Sequence, residues 1–138
     1  MSREAADAVA ALRVNTAFYT AIAGSDLAGM DLVWAREEPV LCIHPGGAPL
    51  QGRVAVMASW NDIFERGGPP IVHSQDSVSL IRGIAFVNCL EHIGDTVLSA
   101  SNILVWESSA WRMVQHTAGV LTEAQSFAGN PSGPLQDR

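Results

Sequence analysis

The spacing of apolar positions divides the chain into a helical first part and a β-rich second part. Over residues 3–23, apolar residues recur at gaps of three and four, the pattern of one helix face. A shorter helix follows, capped by Ser25 or Asp26, and a third begins after Gly52 and ends at the glycines and prolines of residues 67–70. The first helix is expected to turn inward a stripe of Ala5, Ala8, Val9, Leu12, Phe18, Tyr19 and Ile22.

The remainder of the chain reads as strands. Residues 40–44 and 50–51 predict two short strands, and four long runs rich in β-branched and aromatic residues follow. These runs cover residues 71–81, 85–93, 97–107 and 110–120, with turns at Gly83, Gly94-Asp95 and Ser108-Ser109. Helices followed by a meander of this kind predict an α+β domain, with three helices packed on one face of a curved antiparallel sheet.

The turns also predict which side chains share a face, because side chains alternate along a strand. Two-residue turns place Glu91 opposite Leu98 and Asn102 opposite Gln115. The polar end of the concave face should then hold Ser74, Asp76, Glu91, Asn102, Gln115 and Thr117. Carboxylates, amides and hydroxyls together are typical of a pocket floor. The prediction depends on Glu91, Asn102 and Gln115 pointing to the same side.

The opposite face mixes apolar and small hydroxyl residues. It is expected to carry Phe86, Leu90, Ile103, Val105 and Val114, together with His73, His92 and His116. A face of this composition is typical of sheet-on-sheet packing, so we expect a homodimer through the outer face of the sheet. Charged residues make up only 16% of the chain, compared with about 25% in an average protein, which agrees with a covered surface.

Length and charge narrow the class of protein. The 138 residues favour one domain over residues 1–124, followed by a mobile tail over 125–138. A net charge of −6 makes nucleic acid an improbable partner. Cys42 and Cys89 both lie in apolar runs and read as core thiols. With no signal peptide and no apolar run long enough to span a bilayer, we expect a cytoplasmic protein that makes no membrane contact.

The order of elements and three local strings resemble a known family. The strings are DLAGMDLVWAREEPVLCIHPGG, PLQGRVAVMASWNDIF and NILVWESSAWRMVQH, and the resemblance covers roughly residues 5–120. The chain is similar to the SnoaL-like branch of the nuclear transport factor 2-like superfamily. This resemblance implies a cone-shaped α+β barrel with a pocket between helices and sheet. It also implies a wide range of functions, from isomerases, dehydratases and cyclases to noncatalytic modules, and the fold does not choose among them.

Glu91 and Asp76 are the candidate catalytic residues. A carboxyl group in a half-apolar pocket has its pKa raised by desolvation, and a second carboxylate nearby raises one of the two further. Such a pair could transfer protons near neutral pH. The alternative is that either residue lies solvated at the rim and is inert.

Other polar and aromatic residues are candidates for ligand binding. Asn102 and Gln115 could orient a carbonyl group or a water, or could hydrogen-bond each other. His44 either borders the pocket or braces the following Pro-Gly-Gly turn. The remaining candidates are Thr117, Tyr19, Trp34 and Trp60. The two tryptophans could form an aromatic wall for a flat ligand, but core is the preferred interpretation for Trp34, while Trp60 could serve as both.

The relatives of this branch often carry histidines near the position of Thr117. Here the string is QHTAG, which weakens any mechanism that needs a histidine there. The relatives also include ketosteroid isomerase, in which a tyrosine on the first helix binds the substrate oxygen and the base lies on the early strand. Tyr19 matches that tyrosine loosely, but the early strand Leu41-Cys42-Ile43 has no acid, so a close copy of that enzyme is not expected.

No metal or cofactor is expected. His44, His73, His92 and His116 lie on different elements and lack the i, i+4 spacing of a helical zinc site. The leading interpretation is a domain that binds a small apolar molecule, as a cofactor-free isomerase, cyclase or hydratase. The alternative is a noncatalytic dimerisation or ligand-binding module. A cavity reaching Glu91 would favour the first, and a cone filled by Trp60, Phe64 and Met113 the second.

Overall fold

The computed structural model describes residues 2–121 and has the expected α+β architecture. The predicted end of the domain at residue 124 and the predicted tail over 125–138 lie outside this range. Three helices precede the long strands, and six strands form one sheet in the order β2-β1-β6-β5-β4-β3. The elements are α1 (Arg3–Ala23), α2 (Leu27–Val33), β1 (Leu41–Ile43), β2 (Leu50–Gln51), α3 (Arg53–Glu65), β3 (Ile71–Ile81), β4 (Ile84–Ile93), β5 (Thr96–Glu107) and β6 (Ala110–Val120).

Side-chain caps define where the first two helices begin. The Ser2 hydroxyl accepts a hydrogen bond from the Ala5 amide, and the Asp26 carboxylate accepts one from the Gly29 amide. The inward stripe of α1 is narrower than expected, since Ala5 is exposed and Val9 is 39% exposed. The buried face consists of Ala11, Asn15, Phe18, Tyr19, Ala21 and Ile22.

The four long strands form an antiparallel meander, as the turns predict. Their partner β1 runs parallel to β6 and pairs Cys42 with His116, which makes the sheet mixed. At the far end of β5, the buried Glu107 carboxylate accepts hydrogen bonds from the backbone amides of residues 36–38 and ties the loop after α2 to the sheet. This arrangement brings β1, and the His44 turn that follows it, next to the polar part of the concave face.

A β-bulge in β6 overturns part of the predicted register. Ile103 pairs with Gln115 but Leu104 pairs with Met113, so Val114 is an extra residue in the strand. The extra residue reverses which face of the sheet each later side chain of β6 lies on. The prediction that Gln115 shares the concave face with Glu91 and Asn102 is therefore wrong.

The residues after this bulge exchange faces. His116 pairs with Asn102 and is 3% exposed on the concave side, where Gln115 was expected. Thr117 pairs with Ser101 on the outer face, so its expected place on the pocket floor is also wrong.

A second bulge lies in β3. The pairing with β4 shifts between Ser74 and Ser77, and Gln75 adopts a positive φ of 58° within the bulge. His73 consequently pairs with Glu91 on the concave face, although the sequence placed it outside, and Ser74 pairs with Leu90 on the outer face. The expected pairing of Glu91 with Leu98 is confirmed.

Candidate functional site

A mostly apolar cavity of about 240 Å³ lies between α1, α3 and the sheet. Three titratable side chains reach it: His44, Glu91 and His116. The other lining residues are Ile22, Pro45, Trp60, Ile63, Pro69, Ile71 and Ile93. The cone is thus open as far as Glu91, and it has the composition expected of a small-molecule site, an apolar wall with a few converging polar groups.

Glu91 and His116 form the polar floor of this cavity. Each residue is 3% exposed, and His116 Nε2 lies 3.9 Å from Glu91 Oε2. Burial raises the pKa of Glu91 and outweighs the opposing hydrogen bond from Tyr19. Burial also lowers the pKa of His116 to about 3. Desolvation therefore favours the uncharged form of both groups.

Tyr19 holds the Glu91 carboxyl group in place. Its hydroxyl donates to Glu91 Oε2 at 2.6 Å and accepts from Asn102 Nδ2 at 3.2 Å and from the Cys89 thiol at 3.3 Å. The Tyr19 ring stacks on His73 with centroids 4.8 Å apart. Burial, and then the neighbouring Glu91, raise the pKa of Tyr19 far above its ordinary value, so the phenol keeps its proton and remains a donor.

A continuous chain of hydrogen bonds runs from His116 away from the cavity, and we call it the amide chain. His116 Nδ1 is 2.6 Å from Asn102 Oδ1, and Asn102 Nδ2 donates to Asn15 Oδ1 at 2.7 Å. Asn15 Nδ2 then donates to Asp76 Oδ2 at 3.2 Å. His73 Nδ1 also lies 3.0 Å from Asp76 Oδ1. The chain links α1, β3, β5 and β6 through side chains alone.

His44 and Trp60 form the wall beside the floor. The Ser59 hydroxyl donates to the Val56 carbonyl, so His44 Nε2, 2.9 Å from the same hydroxyl oxygen, donates to it. Burial lowers the pKa of His44. Trp60 packs edge-on against His44, and its buried Nε1 has no hydrogen-bond partner within residues 2–121.

The candidates from the sequence divide into three groups. Those at the cavity or bonded to its floor are Tyr19, His44, Trp60, Glu91 and Asn102. Trp34 is fully buried, caps α2 and bonds Met30 Sδ through Nε1, in agreement with the preferred interpretation of this residue as core. Asp76 belongs to the amide chain and does not line the cavity, and Gln115 and Thr117 lie on the other side of the sheet.

Three residues of the site were missed from the sequence: Asn15, His73 and His116. Asn15 carried a signal, because it falls between Leu12 and Tyr19 at helical spacing within an apolar stripe. His116 carried another. Trp111 and Met113 cannot share a face with the apolar Ala118 and Val120 unless one residue is skipped between them.

Among residues 2–121, no three His, Cys, Asp or Glu side chains come close enough to hold a metal ion. No helix within this range is long and apolar enough to cross a membrane.

A profile of the SnoaL-like domain matches residues 11–123. The chain belongs to the SnoaL-like domain family. The NTF2-like fold is supported by a solved structure from Streptomyces avermitilis, provisionally named a dehydratase of the NTF2-like family. It superposes with a TM-score of 0.79 at 23% identity and covers 87% of this chain and 99% of that one.

Two further relatives are closer in sequence. A protein from Thiobacillus denitrificans, provisionally named a calcium/calmodulin-dependent protein kinase type II association domain, is 35% identical with a TM-score of 0.68, over 79% of this chain and 93% of that one. The F-box protein SKIP8 of Arabidopsis thaliana is 29% identical over 117 residues, 81% of this chain. The match spans about half, 50%, of that curated relative's length.

Proposed function

We propose that this SnoaL-like domain is a cofactor-independent enzyme that eliminates water from, or isomerises, a small and mostly apolar substrate. The observation that carries the proposal is the pair of buried groups, Glu91 and His116, on the floor of an apolar cavity with Nε2 and Oε2 3.9 Å apart. One group can take a proton from carbon while the other gives a proton to oxygen. The dehydratase name of the Streptomyces relative points to the same class of reaction.

In an elimination, His116 Nε2 would take the proton next to the carbonyl group of the substrate. The C–H electron pair becomes the new C=C bond, the C–O bond breaks, and the leaving oxygen departs as water with the proton of Glu91. The site is left as imidazolium and carboxylate. Transfer of one proton from His116 back to Glu91 restores the starting state, so atoms and charge balance.

The low basicity of His116 is compatible with this role because it applies while Glu91 is uncharged. Once Glu91 has lost its proton, an opposite charge lies 3.9 Å from the imidazole. At an effective dielectric constant of about 20, two unit charges at this separation attract by about 4 kcal/mol, or about three pKa units. The charge that forms at Glu91 thereby raises the proton affinity of His116 when the reaction needs it.

The cavity also restricts the substrate. Pockets for drug-sized ligands measure about 300–1,000 Å³, so the 240 Å³ here suits a smaller molecule. The isoleucine and proline walls favour an apolar body. The Glu91 carboxyl group on the floor, whose pKa is raised by burial, favours an oxygen acceptor on it. Small β-hydroxy ketones and enolisable cyclic ketones combine these features.

The test is deuterium incorporation from solvent next to the carbonyl group, followed by NMR over a panel of such ketones. Exchange reports reversible proton abstraction, and formation of the unsaturated ketone reports elimination. Glu91→Gln and His116→Gln should each slow the exchange by about 10²- to 10⁴-fold. His92→Gln, on the outer face, is the matched control. A ketone that binds and exchanges equally in the wild type and in both floor variants would refute the proposed chemistry.

A noncatalytic association module is the second candidate, favoured by the 35% identity to the Thiobacillus protein named as an association domain. Its surface would be the outer face of the sheet. In the single chain Leu90 is buried there, and the other apolar residues of that face, Phe86, Ile103, Val105 and Val114, are half-buried. We propose a homodimer through this face. Assembly that survives Glu91→Gln and His116→Gln, without any ketone binding, would favour this function over catalysis.

A further inference from the structure

We infer that Asp76 and Asn15 are positioning residues that hold His116 in the tautomer protonated on Nδ1, leaving Nε2 bare toward the cavity. The role of this tautomer in catalysis rests on the proposed function of His116, but the assignment of the tautomer does not. Asp76 lies three hydrogen bonds away from the imidazole along the amide chain. Its side chain is 18% exposed and does not line the cavity, so it acts through other residues.

The direction of every hydrogen bond in the amide chain follows from its carboxylate end. A carboxylate accepts hydrogen bonds and cannot donate them, so Asn15 must turn its Nδ2 toward Asp76 and its Oδ1 toward Asn102. Asn102 must then present Nδ2 to Asn15 and Oδ1 to His116. An acceptor at 2.6 Å requires the proton on His116 Nδ1. The reverse order would set the Asn15 carbonyl oxygen against the Asp76 carboxylate.

Two neighbours reinforce this direction. His73 Nδ1, 3.0 Å from Asp76 Oδ1, donates to the carboxylate and leaves it in its accepting role. Tyr19, which donates to Glu91, accepts from Asn102 Nδ2 at the longer distance of 3.2 Å. Asn15 and Asn102 are fully buried, so water cannot replace a lost partner without entering the core. The 2.7 Å bond to Asn15 is the shorter of the two hydrogen bonds that Asn102 Nδ2 donates.

The inference predicts how the hydrogen bonds of the amide chain rearrange when the carboxylate of Asp76 is replaced. In Asp76→Asn the terminal group can donate as well as accept, so the whole chain can reverse and protonate His116 on Nε2. In Asn15→Leu the hydrogen-bonded link between Asp76 and Asn102 is lost, and the side-chain amide of Asn102 is free to rotate. A hydrogen bond to a charged group contributes enough that the ratio of the two tautomers should move by about tenfold or more in each variant.

The experiment is NMR of the full chain labelled with ¹⁵N in its histidine rings, without ligand. His116→Gln identifies the His116 signals by their loss. In the wild type Nδ1 should be protonated and Nε2 bare, and the opposite pattern or an even mixture would overturn the inference. Asp95→Asn, the same change at an exposed turn, is the control and should leave the pattern unaltered.

If Asp76→Asn and Asn15→Leu both keep the wild-type protonation of His116, the inference is also overturned, because Tyr19 alone would then set the tautomer. If Asp76→Asn does not fold, Asn15→Leu and the wild-type spectrum remain decisive. The proposed function fails separately. Ketone exchange that is insensitive to His116→Gln would refute the catalytic role and leave the tautomer result standing.

Discussion

His116 should make the stability of the protein depend on acid, and the size of the effect follows from its burial. The imidazole is 3% exposed, and burial lowers its pKa from an ordinary 6.5 to about 3. Below pH 6.5 the unfolded chain binds a proton at this residue and the folded chain does not. The stability it contributes is therefore fully present above pH 6.5 and is lost as the pH falls toward 3.

Well below pH 6.5 each pH unit costs about 1.4 kcal/mol, and near pH 6.5 about half of that, so His116 should account for about 2 kcal/mol of lost stability between pH 6.5 and 4.5. Urea unfolding followed by tryptophan fluorescence at several pH values measures it. Other groups also titrate here, so the relevant quantity is the difference between wild type and His116→Gln. The free energy of unfolding of wild type minus that of His116→Gln should fall by about 2 kcal/mol between pH 6.5 and pH 4.5.

His92→Gln controls for the loss of an imidazole from the outer face, where His92 bonds Ser74. If the free energies of unfolding of wild type and His116→Gln changed with pH in the same way, His116 would be hydrated in solution. The neutral floor assumed for the catalytic pair would then be wrong. A difference that grows toward acid would indicate a protonated imidazole that stabilises the fold.

Three further outcomes are expected. Because burial raises the pKa of Glu91, the folded state is favoured below the unfolded value near 4.5 and loses this advantage as the pH rises through the folded value. Glu91→Gln should thus gain stability relative to wild type with rising pH, and a constant difference in urea unfolding would contradict this. Trp60→Phe should lower the affinity for a ketone by less than about fivefold in calorimetry, because Trp60 Nε1 is buried and does not reach the cavity surface, while a larger loss would show that its N–H bonds the ligand. Ile103→Lys should dissociate the proposed dimer in sedimentation, and an unchanged mass would mean that another surface pairs.

Local pattern was enough to predict the fold. The three helices, the two short strands and the four long strands all occur within one or two residues of their expected bounds, because helical spacing, alternation and turn residues are local signals. The pairing of Glu91 with Leu98 followed from a two-residue turn at Gly94, which has a positive φ of 61°. The likeness of three strings to a known family supplied the cone.

The site was predicted only in part, because two bulges interrupt the alternation of side chains along β3 and β6 from which their faces were predicted. Bulges often contain glycine, but Gln75 and Val114 occupy these two. The predicted face was therefore right for Glu91 and Asn102, whose strands β4 and β5 pair without a shift, and wrong for Gln115 and Thr117, which follow the extra residue of β6. Burial of polar groups such as Asn15 depends on partners from distant strands, which a single sequence does not reveal.

The bulge in β6 gives a prediction that opposes intuition about deletions in a central strand. If Val114 is the extra residue, its removal joins Met113 directly to Gln115 and restores strict alternation. Met113 stays inward, Gln115 outward and His116 inward, and the pairs Leu104–Met113 and Asn102–His116 survive. The loss is then the packing of one half-buried valine, roughly 1 kcal/mol.

Deletion of Arg112 is the matched control, because the same loss of one residue would turn either Trp111 or Met113 to the wrong face. We expect the free energy of unfolding of the Val114 deletion to lie within about 1 kcal/mol of the wild-type value. His116 should stay protonated on Nδ1 in this variant. The Arg112 deletion should be destabilised several times more, since a large core side chain costs about 2–5 kcal/mol to remove. Equal destabilisation of the two would show that the bulge is required by the fold. A stable Val114 deletion with an altered His116 tautomer would show instead that the bulge aims the imidazole, which is the functional use that bulges beside active sites commonly have.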